Sequence, residues 1–269
     1  MERFSLNQAT TKYWPLPALA AGCVEAGVRQ VGLWREDIQG YGVKDSRRLM
    51  DDHGLTVTSL CRGGFFHDDG WLDANRRAIE EAAMIGAPVL LLVSGGLPPG
   101  RRDLDGARAR VGERIGELVP DALAAGVQLA IEPLHPMFAS DRCVVSTLAQ
   151  ALDLAAPHPP AAVGVAVDTY HLWWDDTVWA QIERAGREDR VACFQLADWV
   201  TPLPAGVLLG RGLPGTGAAD LRRFVAAVDA TGFTGPIEVE VFNEALWSRP
   251  GPDILADTLT AFRSVVARE

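Results

Sequence analysis

Val163–Asp168 reads VGVAVD, and its alternation decides the fold. Successive side chains of an extended strand point to opposite faces, so Val163, Val165 and Val167 share one face and Gly164, Ala166 and Asp168 the other. The β-branched face suits packing against helices. The small face suits the crowded axis of a closed barrel, and it ends in a carboxylate. The same parity aligns Gln128, Ala130 and Glu132 within Val127–Leu134, and Val191, Cys193, Gln195 and Ala197 within Val191–Asp198. In Pro236–Phe242 the residues Ile237, Val239 and Val241 face the helices, leaving Glu238 and Glu240 inward.

Working outward, apolar runs of this kind alternate with Ala-, Arg-, Glu- and Leu-rich stretches along the whole chain. The other strand candidates are Arg3–Asn7, Gln30–Arg35, Thr56–Arg62 and Pro88–Ser94. Helical patterns fall at Leu16–Ala26, Asp73–Ile85, Ala107–Ala125, Thr147–Ala156, Ala218–Ala230 and Pro252–Arg268. Gly27, Gly54, Gly86, Gly126 and Gly232 stand where helices should stop before the next strand. Strand–helix units repeated eight times imply parallel pairing through helical crossovers, and eight strands imply closure. The expectation is an α/β chain forming one (β/α)₈ TIM barrel over residues 1–269, with a doubly wound open sheet as the alternative. Trp199–Gly217 (WVTPLPAGVLLGRGLPGTG) is a long connection leaving the seventh strand on the face where such barrels carry their sites.

Composition narrows the chemistry. The 269 residues are 48% hydrophobic and 22% charged, enough for a sizeable core, with a formal net charge of −10. That field repels nucleic acid and anionic membranes, and an anionic substrate would need a local cluster of arginines. Only Lys12 and Lys44 are lysines, neither on a later strand, which removes a Schiff-base mechanism. Cys23, Cys61, Cys143 and Cys193 form no CxxC pair and read as free thiols of a reducing compartment. With neither a secretion signal nor an apolar run long enough to span a bilayer, the expected location is the cytoplasm.

Strands five to eight thus each send an acid or amide to the axis near their C-terminal ends. Carboxylates converging on one buried spot repel and resist ionisation unless a cation joins them. A divalent metal meets that requirement, and oxygen-rich ligation favours Mn²⁺ or Mg²⁺, with Co²⁺ or Zn²⁺ as alternatives. Glu238 is read as a structural carboxylate beside the site.

At these residues the sequence resembles the xylose-isomerase-like TIM-barrel superfamily of sugar isomerases and epimerases. The resemblance runs over nearly the whole chain. It is carried by IEPL around Glu132, DTYH at Asp168–His171, FQLAD at Phe194–Asp198, GRGLPGTG at Gly210–Gly217 and GPIEVEVFNE at Gly235–Glu244. It implies Glu132, Asp168, Gln195 and Glu240 as metal ligands, with Glu240 preferred to Glu238. It also implies Glu132 and Glu240 as the acid–base pair, and His171 and Arg211 as substrate contacts. The departure is Gln195, where many sugar epimerases carry His; Gln there resembles the metal-dependent 3-dehydroshikimate dehydratases. His135, three residues after Glu132, is a further substrate-contact candidate. Trp173, Trp174, Trp199 and Trp247 would form either a wall against a sugar ring or ordinary core or interface packing.

Metal-stabilised enolate chemistry underlies epimerisation, aldose–ketose isomerisation and dehydration alike. The sequence reading is a metal-dependent isomerase or epimerase of a small sugar, keto-polyol or related hydroxyketone, ahead of a dehydratase-type lyase. A non-catalytic carbohydrate-binding or partner subunit stands behind both. A sugar-like small molecule is the expected partner, with homo-oligomers by analogy. Gly210-x-Gly212-x-x-Gly215 matches a dinucleotide fingerprint only formally, since it contains Pro214 and opens no βαβ unit. The superfamily's zinc nucleases use many histidines, against five here.

Overall fold

The computed structural model describes residues 2–204 and 206–266. Eight parallel strands close on themselves: β1 (Phe4–Asn7), β2 (Gln30–Trp34), β3 (Thr56–Gly64), β4 (Val89–Val93), β5 (Gln128–Ile131), β6 (Val163–Asp168), β7 (Val191–Leu196) and β8 (Ile237–Val239). They neighbour one another in sequence order, with β1 pairing both β2 and β8. The expected TIM barrel is what the chain forms. Strand limits move inward at several places, and β3 runs two residues further, to Gly64. The last helix spans Gly251–Val266, and the expected positions 267 and 268 lie outside the described residues.

The packing follows the strand parity. Cys61, Val89, Leu91, Ala130, Ala166 and Cys193 form a small buried cluster separate from the main core. These are the axis-facing residues, on the same parity as Gln195, Glu132 and Asp168 in their own strands. The alternate set, including Leu129, Ile131, Val163, Val165, Val167, Ile237 and Val239, belongs to the large cluster shared with the helices. All four cysteines are buried free thiols. Gly86 and Gly126 take the left-handed conformation that ends the helices Trp71–Ile85 and Leu104–Ala125.

Above the apolar axis cluster lies a polar layer. A register shift between β2 and β3 at Val31/Gly32 sets Val57 and Ser59 opposite consecutive residues of β2, so Thr58 is extra. Both Thr58 and Ser59 then reach the same Glu238 oxygen, at 2.9 and 2.8 Å. A Cβ on Gly32 would lie 2.4 Å from the Glu238 carboxylate, so only glycine leaves room for that group. Among the described residues, no helix is long and apolar enough to cross a membrane.

Candidate active site

Asp168 ends β6 and caps the short helix Thr169–Leu172, its Oδ1 accepting the Tyr170 N–H at 2.8 Å. That turn returns His171 to the side of the carboxylate, three residues on. Glu132 and Glu240 sit just past β5 and β8, their N–H groups donating to Leu92 and Leu196 carbonyls as if the strands continued. Ligating atoms of Glu132, Asp168 and His171 all lie within 4.8 Å of one another. His171 Nε2 is 3.9 Å from both Glu132 Oε1 and Asp168 Oδ2.

Arg211 enters this cluster from the Gly/Pro-rich connection. Asp198 and Trp199 pair antiparallel with Gly212 and Arg211. The buried Asp198 carboxylate accepts N–H groups from Gly215, Gly217 and Ala219, which pins the segment after Arg211. Arg211 is 2% exposed. It donates to Asp168 Oδ2 at 2.8 Å, lies 3.2 Å from Glu240 Oε2, and packs between the Tyr170 and Phe242 rings. Burial works against its charge, yet Asp168, Glu240 and Glu132 outweigh that and hold its pKa above the ordinary value.

The cation that the sequence reading demanded is therefore supplied in part by the chain itself. Three ionised carboxylates and one guanidinium still leave two negative charges in a dry site. The carboxyls respond as expected: burial, then Asp168, pushes Glu132 from 4.5 up to about 8, and burial holds Glu240 well above its usual range despite Arg211. Burial, followed by Arg211 and His135, keeps His171 well below its ordinary pKa and hence neutral. Its Nδ1 faces the His135 N–H at 3.2 Å and its Nε2 faces Arg211 Nη2 at 3.0 Å. A neutral ring carries one N–H, so one of these contacts gives way in either tautomer.

The donor set fits a divalent ion. Gln195 is 1% exposed. Its Nε2 donates to Glu238 Oε1 at 2.9 Å, while its Oε1 is buried with no hydrogen-bond partner. A buried carbonyl oxygen beside Asp168 in the sheet register, with nothing to accept from, is the kind of oxygen a hard cation takes. Glu132, Asp168 and His171 stand close enough together to share an ion; Glu240, expected as a ligand, is outside that group and faces Arg211, and Gln195 offers its unpartnered oxygen.

A sign follows for pH. In chelator-treated protein the unfolded chain ionises Glu132 first, so its contribution is complete below about 4.5 and is lost as pH climbs through about 8. Melting temperature is expected to fall over that window, to recover with Mn²⁺, and to fall less steeply in Glu132→Gln. Equal slopes in the wild type and that variant would contradict the shift.

A cavity of about 100 Å³ opens above the cluster. Glu132, His171, Arg211 and Glu240 form its floor, Arg62 and Arg142 stand at its sides, and Trp34, Phe65 and Phe242 supply apolar walls. The Arg62 guanidinium stacks on Phe65 at 4.1 Å. Neither Arg62 nor Arg142 has an ion-pair partner within 4 Å among the described residues. His135 and Trp173 do not line this cavity: the His135 ring packs on Trp174 and Trp199, and Trp173 on Trp199. Trp247 donates to the Ala9 carbonyl away from it. Sequence reasoning missed Arg62, Arg142, Trp34, Phe65 and Phe242. A signal existed for Arg62, which closes the expected third strand. A roomier groove between the outer helices Val178–Arg187 and Leu221–Ala230 holds Glu183 and Arg187, already paired at 2.8 Å, and gathers no comparable chemistry.

Residues 19–265 match the model of the xylose isomerase-like TIM barrel family. The chain belongs to that family. Among solved structures it superposes on protein SMc04130 from Sinorhizobium meliloti 1021 with a TM-score of 0.94, at 40% identity over 98% of both chains. Curated 3-dehydroshikimate dehydratases of Pseudomonas aeruginosa and Pseudomonas putida are 28% and 33% identical to it, over 87% and 91% of this chain. The aligned parts are 37% and 39% of those proteins, so the family barrel spans well under half the length of the curated relatives it matches.

Proposed function

We propose that this barrel is a divalent-metal-dependent lyase that enolises a carboxylate-bearing hydroxyketone and eliminates a hydroxyl β to the carbonyl, the reaction class named for its dehydratase relatives. One observation carries the reading: the cavity joins the buried carboxylates to Arg62 and Arg142, two arginines that form no ion pair within 4 Å among the described residues, in a chain of net charge −10. A neutral sugar gives such arginines nothing to neutralise. A substrate carboxylate does, through charge-assisted hydrogen bonds. Gln195 supports the same direction, since it departs from the histidine of many sugar epimerases and matches the dehydratase-like pattern. The order of the two sequence-based readings is thereby reversed.

A bound divalent ion supplies Lewis-acid polarisation of the substrate carbonyl and stabilises the charge that enolisation develops. The chain's own residues do the rest. Glu132 or Glu240, both facing the cavity, takes the proton from the carbon beside the carbonyl. The partner carboxyl, held protonated by burial, gives its proton to the departing hydroxyl oxygen while neutral His171 hydrogen-bonds that oxygen, so the net loss is one water. Arg211 keeps Asp168 and Glu240 in place, while Trp34, Phe65 and Phe242 exclude water from a flat ring.

The assay is loss of 3-dehydroshikimate, which on giving up one water becomes a dihydroxybenzoate readable by ultraviolet absorbance. Mn²⁺-loaded protein should turn it over and EDTA should stop the reaction. Arg62→Ala and Arg142→Ala are each expected to lower kcat/KM by about 10–100-fold, roughly 1.5–3 kcal/mol per charged contact. Unchanged kcat/KM in both variants would remove the carboxylate seat.

One arrangement favours a second reading. Glu132 and Glu240 both face the same cavity, as a two-base epimerase of a small sugar or keto-polyol requires. Deuterium uptake at carbon by a ketose in D₂O, with no reaction of 3-dehydroshikimate, would select it. A binding subunit would give neither signal.

A further inference from the structure

Glu238 is buried and two residues from Glu240, yet it is absent from the cavity lining. Its oxygens are saturated from four directions. Oε1 accepts Asn7 Nδ2 at 2.7 Å and Gln195 Nε2 at 2.9 Å; Oε2 accepts the Thr58 and Ser59 hydroxyls. Asn7 has no freedom to turn, because its Oδ1 already accepts the Ala9 N–H and the Trp34 indole N–H, both at 2.9 Å. Donors therefore run in one sense, from Trp34 in the cavity wall through Asn7 to Glu238, and from Gln195 to the same oxygen.

The consequence falls on Gln195. An amide offers a donor end and an acceptor end of nearly equal shape, and burial alone does not choose between them. A carboxylate only accepts, so Glu238 holds the NH₂ end and turns the carbonyl oxygen away from itself. That oxygen is the one buried without a partner. Reversing the amide would set two oxygens against each other and leave an NH₂ facing a cation.

We propose that Glu238 is a positioning residue that fixes the Gln195 amide with its carbonyl oxygen presented to the divalent ion. This assignment rests on the metal reading above and adds what orients a neutral amide ligand whose two ends are alike in shape. Outer groups of this kind typically change metal affinity by about 10–100-fold.

The test is Mn²⁺ titration of the chelator-treated full chain by calorimetry, with circular dichroism to establish folding. Glu238→Leu is expected to weaken Mn²⁺ by at least about tenfold. Glu238→Gln keeps an acceptor oxygen toward Asn7 and Gln195 and turns its NH₂ to the two hydroxyls, which rotate to accept, so it should bind within about threefold of wild type. Gln195→Ala should weaken binding about as much as Glu238→Leu, and the double variant no further than either alone. Where Glu238→Leu fails to fold, Glu238→Asp carries the test, since it withdraws the acceptor by one methylene; about a fivefold loss is expected. Wild-type affinity in the folded Leu or Asp variant, or additive losses in the double variant, overturns the assignment alone. A wild-type chain that takes up none of Mn²⁺, Mg²⁺, Co²⁺ or Zn²⁺ overturns the metal reading, and this assignment with it.

Discussion

Glu132→Gln and Glu240→Gln are each expected to lower kcat by about 10²–10⁴-fold, the usual contribution of a positioned proton-transfer group, while the fold survives. Both side chains face the cavity and both are almost fully buried. Burial already holds each carboxyl above its usual pKa, so a neutral amide of the same shape resembles the protonated state that the site tolerates without a cation. Stability should therefore change little, or rise slightly near neutral pH, and only turnover should collapse. The measurement is kcat on the substrate that responds in the dehydration or deuterium-uptake assay, beside a thermal melt. Near-wild-type kcat in both variants would end the proton-transfer assignment.

Arg211→Met carries the second large effect, and it is on stability. The guanidinium is the charge that Asp168 and Glu240 face directly, and removing one partner of a buried ion pair typically costs about 3–5 kcal/mol. In a domain of this size that lowers the melting temperature of chelator-treated protein by roughly 10 °C. The deficit should shrink in acid, where the carboxyls take up protons instead. Because Mn²⁺ replaces part of the lost positive charge, it should raise the melting temperature more in the variant than in the wild type. Equal metal-induced shifts in the two proteins would mean that Arg211 and the ion do not share the carboxylate field.

The barrel and the acidic ring were legible because a strand's two-residue period is written directly in the sequence. Val163–Asp168 gave the parity, and Ala130, Ala166 and Cys193 then mark the same inner face that carries Glu132, Asp168 and Gln195. Depth along the axis was not legible in that way. Glu238 and Glu240 share a parity and differ by two positions, and only the register places Glu238 beside Ser5 and Gln195, within reach of Asn7, Thr58 and Ser59. Loop geometry was harder still. His171 and His135 both stand three residues beyond an inward carboxylate. Asp168 caps a helical turn that brings His171 back, whereas His135 precedes the 3₁₀ turn Pro136–Phe138 and its ring goes to Trp199. Arg62 lies where the register of β3 against β4 shifts, so strand parity did not show where it points, Arg142 lies in a loop, and the pairing of Arg211 with Asp168 depends on how Asp198 fastens a connection whose composition says only that it bends. For the same reason Arg211, a loop residue, meets part of the cation requirement that the sequence assigned wholly to metal.

Anomalous diffraction from crystals of the chelator-treated protein soaked in Mn²⁺ tests the central claim most directly. The account predicts one strong peak among the carboxylates of Glu132, Asp168 and Glu240 and the Gln195 carbonyl oxygen. A fully soaked crystal with no peak there, and Arg211 alone holding the three acids together, would contradict it.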